Sequence, residues 1–298
     1  MRRWILCLIT ISGWKAAGAQ FYYYNHHYYD QKVILEAGVQ TGYINCLTDL
    51  GGNKGPGKGF IKDLQFNTGS INAGMLTAVN LNRKVVFKIG FIKGKIGAAD
   101  SLADQSTDEG KLRFNRNLHF QSPISEISVH TELHVLNILN KKENSLNISP
   151  YLDFGAGIFS FCPKALFNGT WYKLPDYRTE GQGLSTNTPS LYKLTQFNLP
   201  MGAGILIEAG AKWNIRMEII HRKLFTDYLD DVSGRYPGAE LFHLYFEKEQ
   251  ANIAEVLSDR RRVKNDNAAG QIRGGKGNDG YFTGNILLTY VLNRKPVH

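Results

Sequence analysis

The sequence predicts an all-β fold: an eight-stranded antiparallel outer-membrane β-barrel with short periplasmic turns and long external loops. Three observations carry this. Eight segments show apolar residues at alternate positions over about 9 to 13 residues, the length and period of a membrane-crossing strand. The connections between them are alternately long and short, as external loops and periplasmic turns are. No run after the amino terminus approaches the roughly 18 uninterrupted apolar residues of a membrane helix.

Met1 to Ala19 reads as a secretory signal. Arg2 and Arg3 open it, Trp4 to Trp14 is a short apolar stretch, and Ala17-Gly18-Ala19 offers a cleavage site before Gln20. About eleven apolar residues cannot span a bilayer as a helix. Cleavage removes three positive charges and no negative ones, taking the formal charge from +9 to +6. The expected organisation is a signal peptide over 1-19, an amino-terminal extension over 20-32, and a single barrel domain over 33-298, delivered to the outer membrane. The extension, FYYYNHHYYDQK, sets His26 and His27 among tyrosines that suit a membrane interface, and is a candidate for periplasmic contact. Cys7 leaves with the signal. Cys46 and Cys162 remain, too few for a disulfide scaffold, and their pairing is left open.

The strands follow in order. VILEAGVQTGY sets Val33, Leu35, Ala37, Val39, Thr41 and Tyr43 on one face. SINAGMLTAVNLN alternates from Ile71 to Leu81, and a turn of about three residues leads into KVVFKIGFIKG with Val85, Phe87, Ile89 and Phe91 on one face. SEISVHTELH is the cleanest, with Ile127, Val129, Thr131 and Leu133 apolar-side against Glu126, Ser128, His130, Glu132 and His134. SPYLDFGAGIFSF, QFNLPMGAGIL, KWNIRMEIIHR and YFTGNILLTYVL complete the set. Connections after the first, third, fifth and seventh strands are long and those after the second, fourth and sixth short. Tyr43, Phe91 and Phe282 at the outer ends and Trp213 and Tyr290 at the inner ends form the expected aromatic belts.

An eight-stranded barrel is just wide enough for its own side chains to fill. Strand parity assigns Glu36, Lys88, Glu126, His130, Glu132, Asp153, Arg216, Glu218 and Arg222 to the lumen, and buried charges of both signs predict a paired plug. HTELH is not a zinc motif on this reading: residues four apart on a strand are about 13 Å apart, too far for one ion.

GGNKGPGKGFIKDL, RFNRNLHFQSPISEISV, SPYLDFGAGIFSF, RTEGQG, YKLTQFNLPMGAGI, HRKLFTDYLDDVSGRY and NDGYFTGNILLTYVL together resemble the outer-membrane β-barrel family of Bacteroidota that includes PorG. The resemblance runs from about Val33 to Lys295. It implies a non-enzymatic outer-membrane barrel associated with type IX secretion and gliding, in contact with periplasmic ring proteins of that apparatus; outer-membrane lipids are the expected surroundings of such a barrel. It implies no cofactor.

The remaining motifs carry weaker chemistry. Gly52 to Lys58 has the spacing of a nucleotide-binding loop, but Gly59 stands where a magnesium-holding hydroxyl belongs and no helix follows. Neither nucleotide nor nucleic acid is expected, and Gly51 and Gly52 are taken as motif residues of unknown role in the first external loop. Asp227, Tyr228, Asp230 and Asp231 lack the D-x-D-x-D spacing of a calcium loop and read as an aspartate-held turn, so no metal is expected. Leu241 to Leu257 could form one side of a short helix, and Arg260 to Arg262 a solvated basic run or a lipopolysaccharide contact. An outer-membrane lipid hydrolase is the competing class. Ser70, Ser122 and Ser160 are available, but there is no G-x-S-x-G and no serine and histidine share an obvious constellation.

Overall fold

The computed structural model describes residues 32–50, 65–139, 148–210, 212–264, 266–275 and 277–294. The signal, nearly all of the extension, and Gly51 and Gly52 lie outside the described residues.

Eight strands close into a barrel: β1 (Val33–Leu47), β2 (Ser70–Leu81), β3 (Val85–Ala99), β4 (His119–Leu133), β5 (Ile148–Phe161), β8 (Thr195–Glu208), β9 (Trp213–Leu224) and β10 (Gly280–Val291). Each pairs antiparallel with its neighbours, and β1 pairs with both β2 and β10, which seals the ring. A closed ring leaves no strand edge, so backbone groups are satisfied without water. A hairpin of β6 (Lys164–Phe167) and β7 (Thr170–Lys173) continues the sheet outward from β4.

External connections run over 48–69, 100–118, 162–194 and 225–279, and two of the three turns, 82–84 and 209–212, are tight. The third, 134–147, is longer than the sequence reading expects and opens with the short helix α2 (Val135–Leu139). The long connections also hold α1 (Asp108–Arg116), α3 (Leu174–Tyr177), α4 (Ala239–Tyr245) and α5 (Lys248–Ser258). The last two replace the single helix expected over Leu241 to Leu257. The chain is extended at Phe246 and Glu247, so the apolar pattern there belongs to two helices.

Alternation sorts each strand into two faces. Ile71, Val129, Phe197 and Ile219 stand on the exterior, exposed by 79, 52, 67 and 68%. Arg216, Glu132 and Asp153, on the other parity, are 0% exposed. Exposed apolar residues in a continuous belt are what a lipid environment accepts and water does not. Tyr43 meets Phe282 at the outer end of this belt, and Trp213 meets Tyr290 edge-on at 5.0 Å at the inner end.

The apolar core lies elsewhere, at the outer mouth. Ile44, Ile96, Phe120, Ile124, Phe159, Phe161 and Leu224 point inward from the strand ends and pack with Leu50, Leu118, Leu229, Val232 and Leu257 from the loops. The described parts of the external loops therefore form a folded cap.

Replacing Val129 by Arg in the middle of the belt is expected to cost about 2–4 kcal/mol of folding stability in lipid vesicles, measured by denaturant titration. An unchanged midpoint would place this face in water.

Candidate functional site

The lumen holds its charges as one hydrogen-bonded chain running along the barrel axis. Near the outer end, Arg222 on β9 pairs with Glu126 on β4 at 2.8 Å and donates to the Thr283 hydroxyl. Glu126 also accepts from Asn198, Ser128 and Tyr281, whose ring lies under the Arg222 guanidinium. In the middle, the Lys88 ammonium contacts Glu218 at 2.8 Å and both Glu132 and Asp153 at 3.1 Å, while the Tyr151 hydroxyl donates to Glu218. Further in, Arg216 forks onto Glu36 at 2.7 and 3.2 Å and reaches Glu132 at 3.2 Å, with Thr289 donating to Glu36.

All nine residues assigned to the lumen by parity are buried there. Five of them are carboxylates and three are fixed cations. The excess of acid is met by hydroxyl and amide donors and by the rings of His130 and His134, which face Asp153 at 2.6 Å and Glu132 at 3.6 Å. Parity alone missed the polar partners Tyr151, Asn198, Tyr281, Thr283 and Thr289. Their inward position was readable, but which carboxylate each serves depends on strand tilt and register.

Glycines make room for these side chains. A Cβ on Gly204 would come within 2.5 Å of the Tyr151 ring, and one on Gly157 within 2.5 Å of the Asn198 side chain. The inward glycines of β5 and β8 are therefore a packing requirement, matched to large polar residues across the lumen.

Two chemical readings of this chain can be weighed. Glu132, Asp153 and Glu218 bring carboxylate oxygens close enough to share one ion, but the Lys88 ammonium occupies the point where their charges converge. It does electrostatically what a cation would do. Ser128, His130 and Asp153 also stand in nucleophile–base–acid order, with His130 Nε2 2.9 Å from Ser128 Oγ and Nδ1 2.6 Å from Asp153. This corrects the expectation that no serine and histidine come together: Ser128 and His130 share a strand face two residues apart. Yet the three are exposed by only 4, 6 and 0%, Ser128 is also engaged by Glu126, and Asp153 is held by Lys88. A hydrolytic site needs a path for substrate and a free nucleophile, and this arrangement provides neither.

The motif residues of the external loops meet in the cap. Glu180 accepts from the backbone amides of Ser233 and Gly234 and from Arg273 at 2.9 Å. Asp231 accepts from the hydroxyls of Thr179 and Tyr192, and Arg273 donates to its carbonyl. Asp230 takes the amides of Leu50 and Val232, Asp227 accepts from the Ser233 hydroxyl, and Tyr228 stacks on Tyr192 at 4.8 Å. Burial raises the Asp231 carboxyl to about 6, against the opposing pull of Arg273 and its two hydroxyl donors.

The basic run is consumed in the same way. Arg260 donates to the Leu166 carbonyl, Arg261 pairs with Asp259 and Asp266, and Arg262 donates to the Phe114 carbonyl and stacks on its ring at 4.2 Å. Arg260 and Arg262 tie the last loop to its neighbours at Leu166 and Phe114, whereas Arg261 pairs within the loop. Cys46 is buried, Cys162 is half-buried, and both are free thiols.

The family described as a domain of unknown function, DUF6089, matches residues 20–252. No curated protein matches the chain. Among solved structures it is similar to Ail, the attachment invasion locus protein of Yersinia pestis, at 10% identity over 87% of this chain and 99% of that one, with a TM-score of 0.36. It is also similar to Neisserial surface protein A, at 7% identity, coverage of 87% and 97%, and a TM-score of 0.38. OprG from Pseudomonas aeruginosa matches at 8% identity, coverage of 87% and 95%, and a TM-score of 0.33.

Replacing Lys88 by Met is expected to cost about 3–5 kcal/mol at neutral pH, because three carboxylates lose their shared cation in a dry interior. Denaturant titration of the refolded barrel checks this, and a loss below about 1 kcal/mol would show that the carboxylates are compensated by other groups. Asp231 gives a pH prediction. Its folded value of about 6 lies above its ordinary 3.8, so its contribution to cap stability is full below about pH 4 and is lost as pH rises through 6. Protection factors of the amides in loop 225–279, corrected for the intrinsic pH dependence of exchange, should be higher at pH 4.5 than at pH 7.5, and the part of that difference due to Asp231 should vanish in Asp231→Asn.

Proposed function

The chain belongs to the DUF6089 family, and we propose from that premise that it is a non-enzymatic outer-membrane barrel that anchors or stabilises a type IX secretion assembly. The observation that carries the membrane part is the inversion of the barrel wall: the exterior is an exposed apolar belt while paired charges fill the interior. Only a hydrocarbon solvent rewards that arrangement. A lumen packed with its own side chains argues against transport through the barrel and for a scaffold.

The assembly role is supported by the resemblance to the PorG-containing family, which runs through seven ordered stretches. The cap supports it as well, since the motif stretches RTEGQG and FTDYLDDVSGRY are bonded into one preformed body. The periplasmic turns and the segment before β1 are the parts that would meet ring proteins on the inner side.

Among the described residues, a lipid-modifying activity would find its tightest serine–histidine–acid constellation in Ser128, His130 and Asp153, with Ser149, His134 and Glu132 a looser one. Purified barrel that hydrolyses lipid and loses that activity on Ser128→Ala would establish the enzyme reading against the scaffold.

Two measurements test the scaffold. The protein should partition with the outer membrane and shift in gel mobility on boiling, as folded barrels do. Deletion of the gene should lower export of type IX cargo, and secretion at the parental level would remove the assembly role while leaving the barrel intact. In planar bilayers the wild-type protein should give no steady ion conductance.

A further inference from the structure

Acidic residues on the barrel strands keep to one face without exception among the described residues. Every strand carboxylate, Glu36, Glu126, Glu132, Asp153, Glu208 and Glu218, takes an inward position. The basic residues on the outward parity are Lys93 and Lys95 on β3, His119 on β4, and His221 and Lys223 on β9, all on the outer side of the apolar belt.

The hairpin extends this face. Gln121 on β4 pairs with Lys164, Lys164 pairs with Lys173, and Leu166 pairs with Trp171. Directly opposed residues share a side of the sheet. Lys93, Lys95, Lys164 and Lys173 therefore occupy one continuous outward surface of β3, β4, β6 and β7. Trp171 stands beside them, 45% exposed and edge-on to His119. None of the four ammonium groups has an ion-pair or hydrogen-bond partner among the described residues. Across the strands, Lys93 faces Ala73 and Ser125, and Lys95 faces Pro123, so no neighbouring acid neutralises them.

We propose that this surface binds a phosphorylated glycolipid of the outer leaflet, its lysines holding phosphate groups at more than one height above the hydrocarbon. The inference rests on the outer-membrane reading above and adds the ligand and the residues.

Height selects the glycolipid over a phospholipid. The outward apolar set ends at the Phe91–Ile127 pair. At about 3.3 Å per residue and a tilt near 40°, Lys93, Lys95 and the Gln121–Lys164–Lys173 row stand roughly 5, 10 and 15 Å beyond it. A phospholipid headgroup layer is only about 5–8 Å deep on each side, the difference between roughly 30 Å of hydrocarbon and 40–45 Å of bilayer. The upper lysines lie past it, where only phosphates or acidic groups carried on an extended sugar would reach. A flexible ammonium suits phosphate as a point charge, and an exposed indole beside the upper row suits the apolar face of a sugar ring.

The test is native mass spectrometry of the full-length barrel, released from nanodiscs containing phosphatidylcholine with one added lipid. That lipid is a lipid A–core glycolipid with its phosphates, the same glycolipid after phosphatase treatment, or phosphatidylglycerol. The wild type should retain the phosphorylated glycolipid and not the other two. Lys93→Gln/Lys95→Gln and Lys164→Gln/Lys173→Gln should each lower retention roughly tenfold while keeping heat-modifiable mobility, which shows that the variants are folded. Equal retention of the dephosphorylated glycolipid, equal retention of phosphatidylglycerol, or unchanged retention by both variants would each overturn the inference. Outer-membrane fractionation of the same proteins separates the two failures: a chain absent from that membrane refutes the underlying reading, whereas a chain present there with unchanged retention refutes this inference alone.

Discussion

The Lys88 ammonium, 4% exposed and within 3.1 Å of three carboxylates, makes the interior of this barrel tolerable. Glu132, Asp153 and Glu218 at such separations would repel strongly in a medium from which water is excluded, and no single one could be removed without uncovering the others. The four groups come from β3, β4, β5 and β9. Their meeting therefore fixes the relative positions of strands on opposite sides of the ring. A slip of one residue in any of them would carry a charge to the lipid face and an apolar residue to the lumen. Arg216 does the same at the closure, tying β9 to Glu36 on β1 and Glu132 on β4. Stability gained from such pairs is uncertain in sign in proteins generally, but their cost when mispaired is not. The buried charges act chiefly as specifiers of register.

Along each strand the chemistry inverts where the bilayer ends. On β4 the apolar residues occupy outward positions from Ile127 to Leu133 and inward positions at Phe120 and Ile124. β3 switches between Phe91 and Ile92, and β5 between Ile158 and Phe159. The pairing of β3 with β4 runs from Val85–Leu133 to Ala99–His119 without a slip, so the backbone continues while the side-chain pattern changes phase. Below the switch the solvent outside is lipid and the core is polar. Above it the solvent is water, the core is apolar, and the outward positions become Lys93, Lys95, Gln121 and Lys223.

This phase change explains what was legible in the sequence. Eight strands and the alternation of loop lengths follow from period-two patterning, because lipid imposes it on every crossing. Strand limits did not follow: β4 begins at His119, six residues before Ser125, where the alternating segment starts. A reader following one parity loses the strand at the membrane surface. The β6–β7 hairpin was hidden for a similar reason, since four-residue strands offer too few positions to show a period. In the lumen, parity named which residues point inward. It could not pair them, because Lys88 meets Glu218 across the barrel, 130 residues away, and only the ring's closure brings them together. The Ser128–His130 pair was readable as two positions on one face, whereas the contact of His130 with Asp153 needed the β4–β5 register.

A barrel plugged by its own side chains must place any activity at its rims, and the cap narrows the choice further. The charged groups of the external loops, Glu180, Asp231 and Arg260 to Arg262, are satisfied by backbone amides, hydroxyls, carbonyls and opposite charges of the same body. Their chemistry is spent on holding the cap shut over the lumen. What stays available to other molecules is the surface that internal bonding leaves over: the outward lysines above the belt, and the exposed Leu244 and Tyr245 on α4. The first meets whatever anion lies in the outer leaflet, while the second is an exposed apolar edge of the cap. The division of labour follows from the fold. Buried charge sets the register, the register sets the height of each outward residue, and height above the bilayer decides which partner can reach it.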